Sequence, residues 1–439
     1  MTPTLKTYPK YKNSGVDWLR NVPSDWDVFP FKKIFKLSNE RVEDTPSLNS
    51  ALSVSGYRGV EPRDIESMEG QMPSEDISKY RIVRKGQLAV NTMWLNYSGL
   101  GVSDYEGYIS PAYRAYNIDK IVNKKFVHHL LRSPLYIQKY SSLLYGLRPN
   151  SLQVKNDDFE KIEILVPPLE TQKNIADFLD EKTKVIDELV AKKEKMIELL
   201  REKRVALITH AVTKGLDPKT KMKLSGIDWL GGVPIEWKKL PLKFLFSYQS
   251  GGVWGDEARN DANDLICVRV ADFDFVEFIA QSSDFTYRNL PDIKKWLLLD
   301  VNSILLEKSG GGDQQPVGRT VRYLGKEKAT CSNFIQKLQV DKKYNSEFVI
   351  LLLSALYFNG VTLKVIKKTT GIQNLDLPAF LRTDVFLPSK NEQKQIVDFV
   401  NINSANIIDS IKKMNQQIDQ LKEYRSSLIY SAVTGKIKV

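Results

Sequence analysis

The chain has 439 residues, 42% hydrophobic and 27% charged, with 64 Lys plus Arg against 53 Asp plus Glu and a net charge of +11. No apolar run approaches the ~20 residues of a membrane span, and the start MTPTLKTYPKYKNSG lacks the apolar core of a signal peptide, so a soluble cytoplasmic protein with no membrane partner is expected. Two cysteines, Cys267 and Cys331, are too few for a disulfide framework or a Cys-rich zinc site and read as reduced buried thiols, while the basic excess favours a polyanionic partner through counterion release.

In chain order, the first recognisable element is KNSGVDWLRNVPSDWDVFPFKKIF, Lys12 to Phe35. It returns 211 positions later as KLSGIDWLGGVPIEWKKLPLKFLF, Lys223 to Phe246. Ser14, Gly15, Asp17, Trp18, Val22, Pro23, Trp26 and Pro30 thus recur as Ser225, Gly226, Asp228, Trp229, Val233, Pro234, Trp237 and Pro241. The chain is therefore two tandem copies of roughly 215 residues, each long enough for its own core.

The middles of the copies keep only a hydrophobic skeleton. Ser110–Ile118 aligns with Ser332–Val340, Phe126–Val127 with Phe348–Val349, and Asn150–Leu152 with Gln373–Leu375. Short apolar runs such as Gln87–Asn91, Ser303–Glu307 and Asp384–Leu387, punctuated by Gly, Pro and Asn, predict strands of an irregular sheet. Phe126–Leu131 and Phe348–Leu353 predict short core helices.

Each copy closes with a strand, a Pro and a long helix. Leu169 to Val212 holds no Gly or Pro, and Ile186, Val190, Lys193, Ile197, Leu200, Arg204, Leu207 and Ala211 fall in steps of four and three, the spacing of a coiled-coil seam. Ile407, Ile411, Met414, Ile418, Leu421, Arg425, Leu428 and Ala432 repeat that seam 221 positions on. Such a seam is roughly 42 Å long at ~1.5 Å per residue, so the two helices are expected to pair with each other, antiparallel, with a globular part at each end. Arg204 and Arg425 interrupt the seam at equivalent places.

Polar and aromatic side chains gather in four loops of the middles. The candidates for contact with a nucleic acid are Trp94, Asn96 and Tyr97, Arg114, then Arg148, Asn150 and Ser151 in the first copy. In the second they are Lys308, Ser309, Gly311, Gln314, Gln315 and Arg319, then Lys367, Lys368, Thr369 and Gln373. Arg, Lys, Asn, Gln and Ser are the side chains that hold phosphates or read base edges, and Gly lets backbone come close. Taken singly, each loop also reads as ordinary solvated surface.

Nothing in the sequence assembles a catalytic site. Of the three histidines, His128 and His129 sit in an apolar helix and His210 near the end of a seam, and the glycines at 310–312 are not followed by Gly-Lys-Ser/Thr. Neither metal ligation nor a nucleotide loop is expected of this chain.

The tandem pattern resembles the specificity subunit of type I DNA restriction–modification enzymes. Gly15–Trp26 and Gly226–Trp237 carry the opening motif, and Pro167–Phe178 with Ala211–Thr213, then Pro388–Phe399 with Ala432–Thr434, carry the closing one. Leu100–Ser103 with Ser110–Tyr113 also resembles a pattern of the target-recognition domains. The resemblance implies an α+β protein with two target-recognition domains, 1–166 and 215–387, and two helical spacers, 167–214 and 388–439, forming an antiparallel coiled coil. It implies that each domain reads half of a bipartite double-stranded DNA target and that two modification subunits, with S-adenosylmethionine, dock along the helices. Motor-nuclease restriction subunits would add ATP and Mg²⁺, and the chain would bind no cofactor and catalyse nothing alone. A stand-alone DNA-binding nuclease and a coiled-coil scaffold without catalysis are the other classes open to the residues.

Overall fold

The computed structural model of the chain describes residues 6–44, 50–56, 59–63, 76–146, 152–369 and 372–439. It divides into two compact units: Met1–Lys193 with Gln416–Val439, and Glu194–Asn415. The first long helix, Leu169–Lys214, and the second, Lys390–Val433, each contribute one half to each unit.

The expected mixed fold is present in both units, and a four-stranded antiparallel sheet is common to them. In the first unit its order is Phe35–Ser38, Arg114–Ile118, Leu88–Val90, Leu100–Val102. In the second, Phe246–Gly251, Ile335–Val340, Ser303–Glu307 and Thr320–Tyr323 take the same order, and two short strands, Ile279–Ala280 and Phe273–Asp274, extend it. Ser303–Glu307 is buried along its whole length, as a strand covered on both faces must be, and its apolar run is the reason sequence reading found it. The predicted core helices are Lys124–Leu131 and Ser346–Phe358.

The repeated motifs are structural. Asp27–Pro30 pairs antiparallel with Glu163–Val166, and Lys238–Pro241 pairs in the same way with Asp384–Leu387, so the opening and closing segments of each copy zip together. Trp26 and Trp237 are fully buried, and Gly15 and Gly226 take positive φ of 76° and 71° in the turns before them. At the start of each long helix a buried glutamine joins two segments. Gln172 Oε1 accepts Asn123 N–H at 2.7 Å while its Nε2 donates to Pro167 C=O at 2.7 Å. Gln393 accepts from Asn345 N–H at 2.9 Å and donates to Pro388 C=O at 3.1 Å. Asn123 and Asn345 in turn cap the core helices, each accepting two backbone N–H bonds through its side chain.

The seam is present and the helices run antiparallel. Ile186, Val190, Ile197, Ile407, Ile411, Ile418 and Leu428 are buried, and Leu200, Leu207, Met414 and Leu421 are half-buried. Within the first unit Arg425 donates to both oxygens of Asp187, at 2.9 and 3.2 Å, and Lys193 donates to Gln417 at 2.6 Å, so rising numbers on one helix meet falling numbers on the other.

Gln393→Ala leaves Asn345 N–H and Pro388 C=O buried without partners. Chemical denaturation is expected to show a loss of about 1–3 kcal/mol, with Gln172→Ala behaving alike.

Candidate nucleic-acid interface

In each unit a strand hairpin docks its backbone onto the loop that follows the central sheet strand. In the first unit Leu144–Tyr145 pairs with Gln153–Val154, and Val154 N–H donates to Thr92 C=O at 3.1 Å. In the second, Ile366–Thr369 pairs with Ile372–Leu375, and Leu375 N–H donates to Lys308 C=O at 2.8 Å. Structure therefore matches Gln153–Val154 to Asn374–Leu375, two positions away from the alignment of Asn150–Leu152 with Gln373–Leu375 read from sequence. A lone hydrophobic residue cannot fix a register; a hydrogen-bonded hairpin does.

The two faces so built differ in chemistry. On the first, Trp94 and Tyr97 are 56% and 64% exposed, with ring centroids 5.5 Å apart, and Met93 and Tyr145 stand exposed with them. Tyr145, under the Lys155 ammonium at 5.0 Å, was missed by sequence reading, though its place opposite Gln153 in the hairpin is what brings it there. Asn96 is half-buried, with an Oδ1 that finds no partner among the described residues, and Arg114 is half-buried, donating to Tyr113 C=O at 3.3 Å. Arg148, Asn150 and Ser151 lie outside the described residues.

The aromatic loop is held from beneath by Arg132. Its guanidinium donates to the carbonyls of Ser98 at 2.9 Å, Leu100 at 2.5 Å and Gly56 at 2.8 Å, so one cation gathers two separate turns. Gly56 must be glycine, because a Cβ there would lie 1.9 Å from Tyr97 O. Beside Arg132, His128 Nδ1 accepts Val102 N–H at 3.3 Å, and burial, followed by the nearby Arg132 charge, pushes the imidazole down to about 3.

On the second face Ser309–Gly310 adds to the hairpin as a third strand, and Ser309 Oγ donates to Asn374 Oδ1 at 2.6 Å. Lys308, Ser309, Lys367, Lys368 and Asn374 are thus brought together, with Gln314 and Gln315 exposed on the adjoining loop. Lys367 pairs with Asp376 at 2.7 Å and Lys368 with Asp313 at 2.6 Å, both lysines largely exposed. Surface pairs of this kind contribute only about 0–1 kcal/mol, so a phosphate can displace the carboxylates. Thr369 lies in the hairpin strand.

Two polar candidates serve the loop from inside. Gln373 is buried, its Oε1 accepting Val317 N–H at 3.2 Å. Arg319 lies in a bidentate pair with the buried Glu307, at 2.8 and 3.1 Å, with its guanidinium 4.1 Å over the Phe275 ring. Gly311, at φ +59°, passes so close to Val317 that a Cβ would lie 2.9 Å from it. Sequence reading also passed over Trp254, exposed and stacked at 4.7 Å under the Arg288 guanidinium.

Among the described residues no cluster of three or more His, Cys, Asp or Glu could hold a metal ion, and no helix is long and apolar enough to cross a membrane. Cys267 and Cys331 are free and buried, with burial pushing their thiols up to about 11 and about 12.

Residues 97–199 and 234–420, more than half of the chain, match the type I restriction modification DNA specificity domain. The chain belongs to this family. It is 26% identical over 285 residues to the type I restriction enzyme MjaVIII specificity subunit of Methanocaldococcus jannaschii, covering 64% of this chain and 63% of that one. It is 22% identical over 321 residues to the StySPI specificity subunit of Salmonella potsdam, covering 73% and 66%. The matches thus span just under two thirds of each relative's own length. A chain from a structure on complex assembly and conformational transition of the type I R-M system has the same fold, with a TM-score of 0.64 at 14% identity over 94% of this chain and 98% of that one. In this specificity-domain family member, both matched regions contain the hairpin; the second also contains Lys308, on which its hairpin docks, whereas the first begins after Thr92.

Because folded His128 stays neutral until about pH 3 while an unfolded histidine protonates near ~6.5, unfolding takes up a proton between those values. The stability so linked is fully present above pH ~6.5 and falls by ~1.4 kcal/mol per unit below it. The chain is expected to be about 2 kcal/mol less stable at pH 5 than at pH 7 from this group. In a His128→Gln variant, which keeps an acceptor for Val102 N–H, denaturation curves should lose that dependence.

Proposed function

We propose that this chain is the DNA-reading specificity subunit of a type I restriction–modification complex. Residues 1–166 and 215–387 each read one half of a bipartite double-stranded DNA target. The observation that carries this reading is the pair of hairpin-docked faces, at Thr92–Val154 and Lys308–Leu375, held by the same backbone hydrogen bonds yet covered with different side chains. A frame that keeps its backbone while changing its polar surface suits two sites of one kind with two specificities. The aromatic first face, with Trp94, Tyr97 and Tyr145, suits apolar contact and stacking, and the second, with Lys308, Lys367 and Lys368, suits phosphate contact beside base readout by Gln314, Gln315 and Asn374. Arg319 and Gln373 act by positioning the 311–318 loop.

The helical segments 167–214 and 388–439 set the gap between the half-sites and dock two modification subunits, which bring S-adenosylmethionine for adenine methylation. ATP and Mg²⁺ belong to the motor-nuclease subunits. The chain itself is non-catalytic, and its net charge of +11 supplies the sequence-independent part of DNA affinity.

Exchanging residues 40–160 for the matching segment of a relative, in complex with the modification subunits, is expected to change one half-site of the methylated sequence and preserve the other. Methylome sequencing reads the outcome, and simultaneous change of both halves would reject independent reading. Replacing Lys367 and Lys368 together by Ala should weaken binding to cognate and random duplexes by a similar factor. The slope of log affinity against log salt should fall by up to about 2.

A further inference from the structure

The internal repeat supplies its own comparison at the seam arginines. Arg425, on the second helix, is gripped by Asp187 of the first. The residues 221 positions away are Arg204 and Ile408. In the second unit, therefore, the arginine remains and the carboxylate facing it is replaced by an alkyl group. The space left is a cavity of about 190 Å³ lined by Arg204, Arg322, Ser404, Phe278, Glu277 and Ile408 among others.

Three polar atoms on its wall have no hydrogen-bond partner among the described residues: Arg204 Nε, Arg322 Nε and Ser404 Oγ. Ser404 is only 2% exposed. Its counterpart Thr183 is satisfied, donating to Leu179 C=O at 2.7 Å. The acidic groups here are occupied: Glu277 by Lys412, and Glu347 by Arg322 Nη1 at 3.2 Å. Arg204 rests its guanidinium 4.6 Å over the Phe278 ring and has no ion-pair partner among the described residues. Arg204 is half-buried, and the nearby carboxylates of Asp274 and Glu277 act on its charge without bonding its Nε, so three donors on one wall are left unpaired, which is costly.

We propose that this cavity binds a small oxyanion of the phosphate class, which takes the place of the carboxylate that Asp187 supplies in the first unit. Arg204, Arg322 and Ser404 are the donors, and charge-assisted bonds to planar guanidinium groups give such a site its strength. The apolar wall of Phe278 and Ile408 limits the space to a group of that size. The oxyanion is either free or part of a nucleic acid backbone.

The test is thermal unfolding of the full chain in sodium phosphate against sodium chloride at equal ionic strength. At phosphate a hundredfold above Kd the midpoint of the 439-residue chain is expected to rise by about 3 °C. Arg204→Ala should weaken phosphate binding by about tenfold or more, and Arg425→Ala should leave it intact. Should Arg204→Ala fail to fold, Ile408→Asp keeps the arginine and supplies the missing carboxylate, and it should abolish the phosphate response. A midpoint equal in the two salts, or a response that survives both Arg204→Ala and Ile408→Asp, overturns the proposal and leaves the cavity to water. A short duplex distinguishes the two sources. If the oxyanion is a backbone phosphate, saturating duplex removes the phosphate response; if it is free, the two stabilisations add. Neither arm depends on the half-site reading, which the methylome experiment tests separately.

Discussion

The buried glutamine at the head of each long helix is the contact on which both units depend. Gln172 and Gln393 use the amide oxygen on the cap of a core helix and the amide nitrogen on the carbonyl of the preceding proline. A side-chain amide sets an acceptor and two donors side by side on one rigid plane, and in a buried site each bond it makes replaces one that water cannot supply. The helix, the strand before it and the sheet-covering helix are thereby fixed relative to one another without using any residue of the exposed faces. That separation explains how the middles of the two copies diverged in nearly all polar positions while the architecture held.

The faces themselves illustrate two physical routes to the same end. In the proposed contact, Trp94 and Tyr97 would cover large, rigid, exposed surfaces at little cost in side-chain entropy. Lys367 and Lys368 come with carboxylate partners already in place, so binding a phosphate is an exchange of one weak surface pair for another anion, and net gain comes mainly from counterion release. On the proposed function, binding by the first face should therefore depend less on salt than binding by the second. Arg132 and Arg319 belong to neither route: both guanidinium groups are consumed by the protein, one by carbonyls and one by Glu307, and what they supply is rigidity.

Much of the fold was legible because its signals are periodic or duplicated. The steps of four and three from Ile186 and Ile407 mark a seam regardless of tertiary context, and two copies of a tryptophan motif check each other. The loops were harder. Composition marks Gln373 and Arg319 as readers just as it marks Gln315, since a polar side chain looks the same whether its partner is a base edge or Val317 N–H. Which of them is internal is decided by Glu307, a charged residue buried at the end of an otherwise apolar strand, and that burial is visible only once the strand is placed in its sheet. Tyr145 and Trp254 were passed over for the converse reason. An aromatic ring carries no mark of exposure in the sequence, and only the hairpin pairing of Tyr145 and the Arg288 stack on Trp254 show them standing at the surface.

The boundary between the units does not follow the boundary between the copies, and the physical reason lies at the helix ends. Gly435 ends the second helix at φ +70° against Pro23 and Trp26, while Gly215 ends the first at φ +77° beside Pro234 and Trp237. Each buried tryptophan is therefore covered by the end of the helix that belongs, by sequence, to the other copy. Tyr11 Oη donates to Gly435 C=O at 2.9 Å and Lys438 N–H to Lys6 C=O at 2.7 Å, completing the first unit with the last residues of the second copy. A single copy would expose its tryptophan pocket and its own helix end at once, two apolar surfaces that the other copy covers in the full chain. Joining two copies satisfies both, and a head-to-tail duplication is the shortest covalent way to do it.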